Sequence, residues 1–232
     1  MNMTAQMQLD YLKSLETKNE LTGDDITLLS ELSKIEASDI LSKDEEISIK
    51  CELASQLVRF ESDFCRNILL NLTNDNAALV RVEACDSLCV YRDREVFNRL
   101  LELSTTDEFL VRGYAVMSMA DVAANGKFDF KEVIQLLNNN VSKEKSIYVK
   151  LCYYYAFCIM GERQYYDIIL QHLSHRFYYI RLFSISSLLE LMSEDDYDKT
   201  LKCFLQCEKS EKVKEVKQTL SRAIDQLTAL SN

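Results

Sequence analysis

The sequence predicts an all-α fold of stacked helical pairs, and three observations carry that prediction. A short element recurs along the chain: a β-branched residue, then Arg or Lys, with core positions four and eight residues after the first. Its copies begin at Ile49, Val80, Val111, Val149, Ile180 and, in weaker form, Val216, at steps of 31, 31, 38, 31 and 36 residues. A period of this size belongs to stacked helix pairs. The 232 residues include no proline and only four glycines, and a β-rich chain needs both for turns and strand ends. Apolar stripes at helical spacing, each broken by a short polar run, precede the copies.

Taken in order, the chain to about residue 40 reads as two helices. The first carries Met3, Met7, Tyr11, Leu12 and Leu15, and the second runs from Asp24 to Glu36 on Ile26, Leu28, Leu29, Leu32 and Ile35. Ser42 with Glu45 forms a capping-box signature, so a third helix starts there and continues to about Phe60. Phe64, Ile68, Leu69 and Leu72 make a stripe that Asn74-Asp75-Asn76 breaks before the Val80 helix. Val96, Leu100, Leu101 and Leu103 make the next, broken at Thr105-Thr106-Asp107 before the Val111 helix. Phe128–Leu137 supplies the following first helix, and a longer polar turn over Asn138–Ser146 absorbs the extra residues. Ile147–Met160 follows, ended by Gly161 as a C-cap. Tyr165–Leu173 with Tyr179–Met192, then Tyr197–Cys207 with Lys212–Leu230, complete the pairs.

The net charge is −10, which argues against nucleic acid as a partner and against an anionic membrane surface. Residues 1–64 hold 14 acidic and 6 basic side chains, an acidic end suited to steering a basic protein partner. Met1–Lys18 lacks the basic start and apolar run of a secretion signal, so the eight cysteines are expected to be reduced thiols of a cytoplasmic protein. Cys85/Cys89 and Cys203/Cys207 stand four apart, a spacing that fits neither a zinc knuckle nor a thioredoxin-type site. His172 and His175 lie three apart without evident third and fourth ligands, so no metal site is assigned. Asp24-Asp25 and Asp195-Asp196 fall at helix starts, where capping accounts for them. No Gly-rich phosphate loop is present, and no catalytic residue or cofactor is assigned. The chain is read as not an enzyme.

Positions two and six after each β-branched residue are expected to point away from the core, at about 100° per residue. They change from Cys51/Ser55 and Val82/Asp86 to Gly113/Met117, Leu151/Tyr155 and Leu182/Ser186, from polar to apolar and aromatic. Candidate partner-binding residues on and beside this face are Glu52, Glu83 and Asp86, then Tyr114, Met117, Leu151, Tyr155, Tyr179 and Leu182.

With an acidic turn, Val-Arg, and small or apolar residues four and eight on, the chain resembles HEAT-repeat proteins, in particular the short lyase-like variety. Asp75 with Val80-Arg81, Ala84 and Leu88 carries the resemblance, as does Asp107 with Val111-Arg112, Ala115 and Met119. It covers roughly residues 42–230. Tyr153 and Ser184 depart from the small position, and no acid stands just before Ile180. The resemblance implies a right-handed α-α superhelix of about six helical pairs in a single domain. Residues 1–41 would be capping helices, 42–192 central repeats and 193–232 a capping pair. It also implies that Arg81 and Arg112 pair with turn acids as a ladder. Tetratricopeptide and ankyrin signatures are absent, as are the repeated His-Glu pairs of HEAT-like metal hydroxylases.

Small acidic proteins of this kind further resemble HEAT-like bacterial toxin-immunity proteins. That resemblance implies a non-enzymatic binder that neutralises a basic nuclease-type toxin at 1:1. The alternatives are a scaffold or adaptor in a larger assembly, or a HEAT-type enzyme. A lyase would take a bilin; a DNA-repair glycosylase would need a basic groove, which the composition disfavours.

Overall fold

The computed structural model describes residues 3–230; positions 1, 2, 231 and 232 of the expected domain lie outside them. The described residues are 77% helical, with 13 α-helices and no strand. Its packing divides into two compact units, Met1–Val133 and Ile134–Asn232, described in turn.

The first unit contains α1 (Ala5–Ser14), α2 (Gly23–Leu32), α3 (Lys43–Leu57), α4 (Asp63–Leu72), α5 (Ala78–Ser87), α6 (Arg94–Thr106) and α7 (Phe109–Asn125). The helices start where the sequence supplies caps. Ser42 and Glu45 exchange both bonds of the expected capping box, Thr22 and Asp25 do the same at α2, and Ser62 and Asp93 accept from the first turns of α4 and α6. Helix α1 packs on α3, α3 on α5 and α5 on α7, forming one layer; α2, α4 and α6 pack on α3, α5 and α7 respectively as the other. The repeated β-branched residues Ile49, Val80 and Val111 have no exposed surface, each stabilising the layer by roughly 1.5–3 kcal/mol.

Two boundaries differ from the sequence reading. Helix α2 stops at Leu32, four residues early: the chain reverses through paired Ser38 and Leu41, and the Ala37 N–H turns to Glu46 Oε2 at 2.9 Å. Thr105 and Thr106 extend α6 rather than break it, because their hydroxyls donate back to Glu102 O at 3.1 and 2.9 Å. At the end of α7, Gly126 is required, since a Cβ there would lie 2.6 Å from Arg92 O and 2.4 Å from the Phe128 ring.

Helix α8 (Phe130–Val141) runs through the unit boundary. It continues over Asn138–Asn140, so the expected polar turn is shortened to 142–146. The second unit then holds α9 (Ile147–Ile159), α10 (Gln164–Gln171), α11 (Tyr178–Leu191), α12 (Tyr197–Ser210) and α13 (Lys214–Leu230). Helix α11 packs between α9 and α13; α10 packs on α9 and α11, and α12 on α13. Gly161 takes φ +96°, the left-handed conformation expected just beyond the end of α9. Val149 and Ile180 are fully buried, Val216 nearly so. Aromatic rings fill much of this core: Tyr153, Phe157 and Tyr166 are buried, and the Tyr166 hydroxyl meets Thr200 Oγ1 at 2.7 Å and Leu188 O at 3.2 Å. No described helix is long and apolar enough to cross a membrane.

Candidate partner-binding face

The cation of the repeated element ties successive turns together. Arg81 grips Asp107 of the next turn with Nε and Nη2, at 2.8 and 2.7 Å. Lys50 reaches Asp75 at 2.7 Å, and Arg181 reaches both oxygens of Glu211 at 2.8 Å. Each arginine also ties down its own turn: Arg81 Nη1 donates to Asp75 O at 2.9 Å, Arg112 Nη1 to Asp107 O at 2.7 Å and Arg181 Nη1 to His175 O at 2.7 Å. Burial alone would raise the Asp107 pKa, and the Arg81 guanidinium more than reverses this, leaving it lowered. Lys50, Arg81 and Arg181 thus each reach an acid of the following turn, as the HEAT resemblance implies for Arg81, while the bond shown for Arg112 ties down its own turn.

In the first unit, Glu52 on α3 and Glu83 and Asp86 on α5 share a face. Burial raises the Glu83 pKa, and the neighbouring Asp86 and Glu52 charges push it further. Glu52 accepts from Gln56 Nε2 at 3.0 Å. Asp86 is exposed, and Tyr114 and Met117 on α7 are half-buried.

In the second unit the expected face fails at α9. Leu151 is fully buried and Tyr155 only 5% exposed, its hydroxyl donating to Glu190 Oε1 of α11 at 2.6 Å. Neither offers a surface to a partner. Leu151, Cys152, Tyr153, Tyr155, Ala156, Phe157 and Cys158 are all buried, and a helix apolar all round is a core helix. Leu182 is half-buried, and Tyr179 is 46% exposed.

The exposed apolar surface lies instead one and two positions before the repeated element. Leu79, Phe109, Leu110, Ile147, Tyr178 and Tyr179 all stand exposed in the first turns of second helices. The signal was in the letters: Leu79, Leu110, Tyr148 and Tyr179 directly precede the Val-Arg, Val-Lys or Ile-Arg of four successive copies. The richest stretch is the turn before α11. There His172 stacks on His175 (ring centroids 5.9 Å apart), His175 meets Phe177 at 5.4 Å, Phe177 stacks on Tyr179 at 5.6 Å, and Tyr178 stands edge-on to Tyr179 at 6.1 Å. Arg176 covers the Phe177 ring at 4.5 Å. A cleft of about 320 Å³ opens beside this pile, between His175 and Arg176 on one side and Cys207, Glu211 and Lys212 on the other.

The histidines are engaged locally: a ring nitrogen of His172 meets Ile168 O at 2.8 Å, and His175 Nδ1 accepts from the Phe177 N–H at 3.2 Å. Among the described residues no three His, Cys, Asp or Glu side chains gather as a metal site. All eight cysteines are free thiols. Burial raises Cys51, Cys89 and Cys158 to about 11 and Cys85 to about 12, so none of these four is a thiolate nucleophile at neutral pH.

No protein-family model matches the chain, and no curated protein matches it in sequence. Among solved structures, it is similar to a chain in the complex of CpcE and CpcF of phycocyanin lyase from Nostoc sp. PCC7120. The TM-score is 0.59 and the identity 11%, over 98% of this chain and 96% of that one. The all-α, HEAT-like fold is thereby shown. The reading of the chain as not an enzyme is corrected by the same finding, because the structure it resembles is that of a lyase. The toxin-immunity resemblance gains no support from it.

Proposed function

We propose that this protein is one subunit of a lyase-type HEAT-like assembly and grips a protein partner. The likeness over nearly the whole chain to a component of a two-protein lyase complex carries this reading. The exposed rings Phe177, Tyr178 and Tyr179 before and at the start of α11 support it, since clustered exposed apolar side chains mark interaction sites.

The test is to mix the purified chain with a bilin, with and without candidate second subunits from the same genome, following visible absorbance and gel-filtration mass together. A red-shifted bound spectrum and a stable two-protein peak are expected. A chain that stays monomeric and leaves the bilin spectrum unchanged with every candidate ends this reading.

A second reading has one observation of its own, the Glu52–Glu83–Asp86 face. It suits a basic partner such as a nuclease-type toxin, bound 1:1, with affinity falling steeply as salt rises. Affinity insensitive to salt, or unchanged by Glu83→Gln and Asp86→Asn together, removes that reading.

A further inference from the structure

The ladder has one broken rung. The residue six before the arginine of α5 is Asp75, and the same offset gives Glu144 before Lys150 of α9 and Glu211 before Lys217 of α13. Their side chains also cap the turn: Asp75 Oδ1 accepts from the Ala77 N–H, Glu144 Oε1 from Ser146 and Glu211 Oε1 from Val213, at 2.7–2.8 Å. In the turn before α11 that position is His175, identified by the Arg181 bond to its carbonyl. Through Nδ1 the histidine keeps the capping bond to Phe177 but brings no negative charge.

Lys150 holds the place from which Lys50 and Arg81 reach the following turn's carboxylate, and it forms no ion pair among the described residues. Arg176, next to the histidine, is exposed, as is Lys212 across the cleft. Neither has a carboxylate partner among the described residues, whereas Arg181 is already held by Glu211. Unpaired cations thus lie in and next to a rung without an acid, beside three exposed rings.

Resting on the reading of this chain as a subunit of a complex, we propose that the turn before α11 is the docking site for an acidic, apolar-flanked segment of a partner protein. The partner's carboxylate takes the place that His175 leaves vacant opposite Lys150 and Arg176, and its apolar neighbours lie on Phe177, Tyr178 and Tyr179. Charge complementarity selects this occupant. A single-stranded nucleic acid also stacks on aromatic rings, but it needs a groove with many cations, and the second unit holds 12 acidic against 13 basic side chains.

The experiment pans a library of short random peptides on the full chain and measures the best binder by fluorescence anisotropy. The enriched peptides should carry Asp or Glu beside apolar residues. Arg176→Glu, Lys150→Glu and the double change Tyr178→Ala with Tyr179→Ala should each weaken binding about ten-fold or more, the size of a hot-spot truncation. His175→Asp restores the missing rung from within, so it should raise the melting temperature while weakening the peptide by a similar factor. Glu31→Gln, at an exposed position of the other unit, should leave affinity unchanged. Enrichment of basic peptides, or tighter binding of a labelled oligothymidine released by the same variants, overturns the proposal. Peptides that bind but ignore these variants sink this site alone; no enrichment at all sinks the partner-binding reading with it.

Discussion

The two units are built by one rule and dressed differently. The first carries 25 acidic and 14 basic side chains and three of the twelve tyrosines; the second carries 12 acidic, 13 basic and nine tyrosines. In the first, the inter-turn cations that reach forward find carboxylates at Asp75 and Asp107, and the surplus acid lies on a helix face. In the second, aromatic rings fill the core and spill onto the surface at the one turn that lacks its acid. The scaffold is thus indifferent to what its faces carry, and function follows from the dressing.

The largest expected effect asks whether the units are energetically separate. Phe157→Ala removes a fully buried ring of the second unit and should cost about 3–5 kcal/mol. Hydrogen exchange should show amides of α9 to α11 losing protection while α3 to α5 keep theirs, as contacts limited to neighbours dictate. Equal loss in both units would erase the distinction.

Next comes the ladder itself. Arg81→Ala leaves the half-buried Asp107 carboxylate without its guanidinium and should cost about 3 kcal/mol in urea unfolding. Lys150→Ala, at the rung with no internal acid, should cost no more than about 0.5 kcal/mol. Similar midpoints for the two variants would show that the broken rung is not broken.

Acidification gives a third, smaller effect. Glu46 is buried, which alone would raise its pKa; Lys50, Lys43 and the Ala37 N–H pull it down to about 2. Its folded value lies below its ordinary value of 4.5, so its contribution is full above about pH 4.5 and is lost as pH falls through 2. Glu46→Gln should flatten that part of the stability–pH curve, a difference of about 2 kcal/mol at neutral pH. A curve of unchanged shape would contradict the assignment.

The smallest effect has the opposite sign. Because the folded Glu83 pKa is raised, its charged form works against folding as pH climbs through that value. Glu83→Gln should therefore stabilise by up to about 0.5 kcal/mol at neutral pH, with the gain fading in high salt. Destabilisation would mean that Glu83 holds a favourable contact.

The period, the helix order and the ladder were legible in the letters because each rests on spacing or on local chemistry. Ser42-x-x-Glu45 and Gly161 announce their caps without reference to the rest of the chain. The site was half legible. Projecting positions two and six outward treats a helix as having one buried side, which holds for Ser55 and Asp86. It fails for Val82 and Gly113, which are buried, and for Leu151 and Tyr155, whose helix is apolar on every side, so no periodicity distinguishes a buried face from an open one. Asn138–Asn140 misled for a related reason: asparagine favours turns by local bonding, and here the helix continued through them.

The direction of the ladder bears on how such a chain grows. Residues 75–106 contain both an acid that receives the preceding cation and an arginine that serves the following turn. A tandem duplication of that stretch would be accepted without a new mismatch, since the extra copy receives Arg81 on one side and supplies Asp107 on the other. Residues 144–174 behave differently: duplicating them would place a second Glu144 opposite the first Lys150, satisfying it and passing the vacancy one repeat further on. Chain length and the position of the unserved cation are therefore inherited together.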